Sequence, residues 1–188
     1  MLQDHWRDRI GFSFFVFATA VSLLATIEHP SLLAALSTAH NGLLAYLYTR
    51  RKAAKNYNRK TLWMGLIVAL APIAWYPDHL PLVWSVIGVI GYALIFWSLL
   101  SLGGRFGIAA ADRGLVKTGP YRWIRHPMYV GEILLRGAML AVTPWPGLLL
   151  LAAMIVVQGV RAMYEEKAIA EYTMYAARTR WRFVPYLW

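Results

Sequence analysis

Apolar runs of nearly membrane-spanning length, separated by short basic clusters, constrain what this chain can fold into more than any other feature. A helix crossing a hydrocarbon core of roughly 30 Å needs about 20 residues at a rise of about 1.5 Å each. Six segments approach that length: residues 10–27, 31–48, 62–76, 82–102, 128–142 and 147–160. The third is edged by Trp63 and Trp75, as in an interfacial aromatic belt. Pro144-Trp145-Pro146, between the last two, reads as the tight turn of a helical hairpin. The chain is 59% hydrophobic and only 15% charged, against about 25% charged in a typical soluble domain. Too few polar groups remain to cover a water-facing surface, so lipid is the expected solvent. The expected fold is all-α and polytopic, with about six transmembrane spans, or five at the low end.

The basic residues set the orientation. Arg50, Arg51, Lys52, Lys55, Arg59 and Lys60 crowd the loop after the second run. Arg105, Arg113, Lys117, Arg122 and Arg125 follow the fourth, and Lys167, Arg178, Arg180 and Arg182 follow the sixth. Six crossings put all of these on one side, together with Arg7 and Arg9. The opposite connections, residues 28–30, 77–81 and 144–146, hold no Lys or Arg. Both termini are therefore expected in the cytosol. The net charge of +10 is spent on topology rather than on a repeating basic face, so no nucleic-acid partner is expected. Membrane lipids are the expected surroundings, and no obligate protein partner is implied. The first run is longer than a signal-peptide core and no small-x-small cleavage site follows it, so it reads as a retained helix.

With no cysteine, disulfides, thiolate metal sites and a cysteine nucleophile are all excluded, and no metal site is assigned. Charge inside apolar segments costs several kcal/mol and marks where function is to be sought. Glu132 and Arg136 lie in the fifth run; Arg161 and Glu165 lie around the end of the sixth. Each pair is four residues apart and so shares a helical face. His126, Tyr129 and Glu132 follow at spacings of three, and Gln158, Arg161 and Glu165 at three and four. An antiparallel hairpin would bring both faces to its cytosolic mouth. Glu132 and Arg136 have a plainer reading as mutual neutralisation between packed helices, and Arg161 as a headgroup-reaching arginine.

The run Gly119-Pro120-Tyr121-Arg122-Trp123-Ile124-Arg125-His126-Pro127-Met128-Tyr129-Val130-Gly131 resembles the G-x-Y-x-x-x-R-H-P-x-Y-x-G signature of the isoprenylcysteine carboxyl methyltransferase family. Arg161-Ala162-Met163-Tyr164-Glu165-Glu166 is similar to its R-x-x-x-E-E, and Tyr172-Thr173-Met174-Tyr175 with Pro185 to its Y-x-x-Y and late proline. The resemblance runs from about Arg105 to Trp188. It divides the chain into N-terminal transmembrane helices, residues 1–104, and a methyltransferase region, residues 105–188. It implies a cytosolic pocket for S-adenosyl-L-methionine, closed by the C-terminal segment, and a lipophilic or lipidated substrate arriving from the bilayer. Carried over by position, Gly114, Leu115, Val116, Tyr121, His126, Pro127, Met128, Tyr129 and Glu165 would line the cofactor. Arg161 and Glu165 would carry the catalytic roles. Arg161, with Glu132 and Arg136 beside it, would meet the substrate.

The residue chemistry suits those roles. A carboxylate such as Glu165 pairs with an ammonium, His126 hydrogen-bonds a carboxylate or ribose, and Tyr121 and Tyr129 offer ring faces to adenine or a sulfonium. Methylating a carboxylate requires alignment and exclusion of water rather than a general base. An amine or thiol acceptor would need a base as well. Two departures from the family pattern stand out. The F-G between E-E and Y-x-x-Y is missing, leaving Lys167-Ala168-Ile169-Ala170-Glu171. Residues 102–108 look more like bacterial members, which implies a bacterial inner membrane and leaves the acceptor open. Two alternatives stand beside methyl transfer: a membrane reductase of the sterol reductase type using a nicotinamide cofactor, and a non-enzymatic scaffold binding anionic lipid through residues 50–60.

Overall fold

The computed structural model describes residues 2–55, 59–70, 80–142 and 144–187. Among these the regular structure is helical, with one isolated parallel bridge between Ile124 and Trp181. The helices are α1 (Leu2–Glu28), α2 (Leu32–Thr49), α3 (Arg59–Leu70), α4 (Leu82–Leu102), α5 (Pro127–Ala138), α6 (Pro144–Ala168) and α7 (Tyr172–Arg178). Short 3-10 turns cover Gly103–Arg105, Gly119–Arg122 and Met139–Ala141.

Three helical stretches, Asp8–Glu28, Leu82–Arg105 and Pro144–Ala168, are long and apolar enough to cross a membrane. They carry their apolar residues outwards as well as inwards. Phe17 and Leu24 on α1, Leu82 and Leu100 on α4, and Leu149 and Val156 on α6 are all more than 60% exposed. A water-soluble bundle would hide such residues, so these faces belong against lipid. The chain is an integral membrane protein.

Polar side chains do the joining between α1 and α2. Ser31 caps α2 by accepting from the Ala34 amide at 3.2 Å. The Asn41 amide donates to Ser22 Oγ at 2.6 Å, and the Thr26 and Thr38 hydroxyls meet at 3.0 Å. In an apolar solvent such interhelical bonds supply the specificity that hydrophobic burial cannot. Between α4 and α5 small residues do the same work: a Cβ on Gly91 would lie 2.8 Å from the Gly131 carbonyl oxygen. The two backbones thus approach as closely as helices can, and Tyr92, Ile95 and Leu99 fill the core beside them.

Two sequence expectations shift. The fifth run, expected as one span over residues 128–142, forms a 12-residue α5 that tightens into the 3-10 turn at Met139–Ala141. Its α-helical part covers about 18 Å, short of the hydrocarbon thickness. The sixth helix does not wait for the proline turn. Pro144 and Pro146 sit in its first turn, where a missing amide hydrogen is harmless, and it continues to Ala168. Arg161 and Glu165, expected around its end, lie within its last two turns. Residues 71–79, within which the third run was expected to finish, lie outside the described residues.

The chain between α4 and α5 folds back under the helices rather than looping into solvent. The Lys52 amide donates to the Gly104 carbonyl at 2.7 Å and the Ala110 amide to Thr61 Oγ1 at 2.9 Å. Phe106, Ile108, Ala109 and Ala110 are buried as a result. This segment, the start of α5 and the end of α6 converge, and the C-terminal segment lies across them.

Candidate functional site

At that convergence lies an open cleft. Of the nine residues expected to line a cofactor, eight line this cleft: Gly114, Leu115, Val116, Tyr121, His126, Met128, Tyr129 and Glu165. The ninth, Pro127, is fully buried and opens α5, fixing the helix start immediately after His126. Sequence positions about fifty residues apart are thereby brought to one wall.

The R-H-P and E-E motifs lock directly together. The Tyr129 hydroxyl donates to Glu165 Oε1 at 2.5 Å, and His126 Nδ1 lies 3.7 Å from Glu165 Oε2. His126 Nε2 is 3.2 Å from Glu166 Oε1 and 3.4 Å from the Tyr172 hydroxyl. The His126 and Tyr129 rings stack at 5.4 Å with 11° between their planes, and Phe183 covers them from the C-terminal segment. Glu165 keeps about a quarter of its side chain accessible and presents the cleft with a carboxylate.

Glu166 has a different duty from its neighbour. Its carboxylate accepts from Arg125 at 3.1 Å and twice from Arg182 at 3.0 Å, besides facing His126. The Arg125 amide donates to the Trp181 carbonyl and the His126 amide to the Arg182 carbonyl, at 2.8 and 2.9 Å. Hydrogen bonding to Glu166 raises the Arg182 guanidinium pKa above its ordinary value. Residues 179–183 are thus strapped over the motif by one carboxylate. Each charge-assisted hydrogen bond is worth about 1.5–3 kcal/mol, so Glu166→Gln should raise opening of this strap by tenfold or more, roughly. Hydrogen exchange at residues 181–183 reads that directly, and unchanged protection there would show that backbone pairing alone holds the strap.

The loop over residues 109–116 is shaped by Asp112, buried within a basic stretch. Its Oδ1 accepts from the Gly114 amide at 3.0 Å and its Oδ2 from the Ala170 amide at 3.4 Å. Gly114 takes a φ of +91°, which a residue with a side chain rarely adopts, and brings bare backbone to the cleft. Asp112 escaped sequence reasoning because a lone acid among arginines looks like charge balance. Arg105 and Arg113 also line the cleft, although their sequence setting marks them only as topology charges.

Tyr172 and Tyr175 line the cleft as well. The Y-x-x-Y spacing was the signal, since α7 puts both on one face. The Tyr175 hydroxyl donates to the Tyr121 carbonyl at 2.6 Å and ties α7 to the R-H-P segment. Burial pushes the Tyr175 phenol up to about 12, and burial with the Glu165 charge raises Tyr121 well above its ordinary value. At neutral pH both hydroxyls keep their protons, and that of Tyr175 acts as a donor.

The residues expected to meet the substrate turn away from this cleft. Glu132, Arg136 and Arg161 line a second cavity, enclosed by α1 to α6. Arg161 is 4% exposed; it donates to Gln158 Oε1 and to the Ile108 carbonyl, each at 2.9 Å, and its guanidinium lies 4.9 Å from the Tyr129 ring centre. Its Nε has no hydrogen-bond partner. Glu132 accepts from Gln158, so α5 and α6 are joined by a Glu132–Gln158–Arg161 relay. Phe106 and Met128 line both cavities and stand between them. The geometry thus separates an open cleft with a carboxylate and aromatic faces from a chamber among the helices with a buried guanidinium.

Comparison with protein-family models matches residues 84–171 to the isoprenylcysteine carboxyl methyltransferase (ICMT) family. The matched region holds the R-H-P and E-E motifs, α4, α5 and α6. A search of curated proteins finds no match.

Proposed function

We propose, for a chain that belongs over residues 84–171 to the isoprenylcysteine carboxyl methyltransferase (ICMT) family, that the cleft takes S-adenosyl-L-methionine and the inner cavity takes the methyl acceptor. The chain is a membrane methyltransferase; its donor, acceptor and topology are the proposal. The observation that carries the donor assignment is the cleft itself. A carboxylate, an imidazole, two tyrosine faces and a bare glycine backbone converge there, the groups that a nucleoside bearing an amino acid and a sulfonium calls for.

When bound, S-adenosyl-L-methionine supplies an electrophilic methyl on a sulfonium sulfur. Glu165 is positioned to pair with an ammonium, and His126 to hydrogen-bond a carboxylate or hydroxyl. Leu115 and Val116 give an apolar bed for a purine. Arg161 offers the acceptor side a planar cationic fork, suited to a carboxylate. A carboxylate arrives ionised, so these residues need only align it and keep water away. The acceptor is a lipophilic molecule, because its cavity is walled by helices whose outer faces meet lipid. The relay from Glu132 to Arg161, with Arg136 beside it, keeps the guanidinium from swinging out of that cavity.

The basic clusters support an arrangement with both termini and the cleft on the cytosolic face of a bacterial inner membrane. α5 with its 3-10 continuation counts as the fifth of six crossings, and residues 105–188 as the methyltransferase region carried by the preceding helices. The family match weighs for a methyl donor over a nicotinamide. Calorimetric titration of the detergent-purified protein with S-adenosylhomocysteine tests the reading. Micromolar binding is expected; none up to millimolar, or binding of a nicotinamide dinucleotide instead, would end it.

A further inference from the structure

The inner cavity has a polar wall that lies outside the family-matched region. On α2, Ser37, His40, Asn41 and Leu44 follow at i, i+3, i+4 and i+7, one face of a helix, and all four line the cavity opposite Arg136 and Arg161. Histidine is a poor filler for a lipid-immersed helix, so its partner decides whether it is structural. Asn41 has such a partner in Ser22 on α1. His40 does not: it touches the Tyr92 and Phe96 rings edge-on, at 6.0 and 6.3 Å, and makes no hydrogen bond with the described residues. This ring-wedged imidazole shares a cavity with an arginine whose Nε is unused. An imidazole with no hydrogen bond and a guanidinium with one N–H still unused, lining the same cavity, point to a ligand that satisfies both.

We propose that His40 contacts the polar end of the methyl acceptor, and that α2 is the specificity-determining wall of this site, for a lipophilic carboxylic acid. The inference rests on the methyl-transfer reading and extends it to residues the family match does not reach. A carboxylate has more acceptor positions than one guanidinium fork fills, and a neutral imidazole N–H beside it takes one of them without adding a second buried charge. The apolar remainder of the acid packs against Phe15, Leu44, Val68 and Tyr92. Glu132 lines the cavity too but already accepts from Gln158, which leaves the two arginines as the cations that a carboxylate meets.

The test uses the full chain in lipid nanodiscs and a long-chain carboxylic acid carrying a diazirine beside the carboxyl group. Irradiation should label the α2 peptide around His40. His40→Phe should cut that labelling about fivefold to tenfold, the loss expected of one hydrogen bond. His40→Gln, which restores a side-chain donor, should recover most of it. S-adenosylhomocysteine affinity should be the same in all three, because His40 is not in the cleft. Labelling confined to α4–α6, or equal labelling in His40→Phe and wild type, overturns the assignment while leaving methyl transfer standing. Loss of labelling in both variants would mean His40 only packs. Absence of S-adenosylhomocysteine binding in wild type removes the methyl-transfer reading, and this assignment with it.

Discussion

Replacing Glu165 with glutamine should weaken S-adenosylhomocysteine binding by about tenfold to a hundredfold, the range for one charge-assisted hydrogen bond. Glutamine keeps the side chain's length and can still accept from Tyr129, so the tyrosine need not move. What disappears is the charge that Glu165 presents to the cleft. Alanine should do more damage, because the Tyr129 hydroxyl, 2.5 Å from Glu165 Oε1, would be left without an acceptor in a buried setting. The loss in that variant therefore adds a desolvation penalty of about 1–3 kcal/mol to the missing charge. Calorimetry on both variants separates the two contributions. Equal affinity for Glu165→Gln and wild type would show that the carboxylate serves only to hold Tyr129 and His126, and would transfer the ammonium-pairing role to another group.

Neighbouring acids with different duties could not be told apart in the sequence. Glu165 and Glu166 stand side by side, and only the helix direction decides which one faces the cleft and which one the C-terminal strap. That eight of the nine residues singled out would line one cleft was legible, by contrast, because they sit on motifs whose spacing survives folding. The long helices were legible for a similar reason: α4 spans the residues expected of it, since an unbroken apolar run leaves the backbone no better way to satisfy its own hydrogen bonds in lipid. The hairpin was less so. Pro144 and Pro146 mark a turn by composition, yet a helix's first turn tolerates them equally, and the rest of the run decided in favour of helix. The polar face of α2 went unread because Ser37, His40 and Asn41 are individually unremarkable; they acquire meaning only when α5 and α6 bring Arg136 and Arg161 to the same cavity. Motifs local in sequence were readable, and a site assembled from distant helices was not.

Arg161 offers the sharpest separation of the two cavities. In Arg161→Met the side chain keeps much of its volume but loses its charge and fork. Turnover of a carboxylate acceptor should fall by about a hundredfold or more, the equivalent of two charge-assisted hydrogen bonds at the low end of their range. Binding of S-adenosylhomocysteine should change by less than about threefold, because Arg161 lines the inner cavity and not the cleft. Arg161→Lys should recover little: an ammonium is a point charge that cannot hold Gln158, the Ile108 carbonyl and an acceptor in one plane. The split between turnover and donor affinity is the decisive reading. A parallel fall in both would move Arg161 into the donor site through its contact with Tyr129. If both stayed unchanged, Arg161 would be a packing element joining α6 to the Ile108 backbone, and an uncharged acceptor would then fit the cavity better than an acid. A large loss of turnover with donor affinity intact instead leaves the buried guanidinium one role, holding the acceptor.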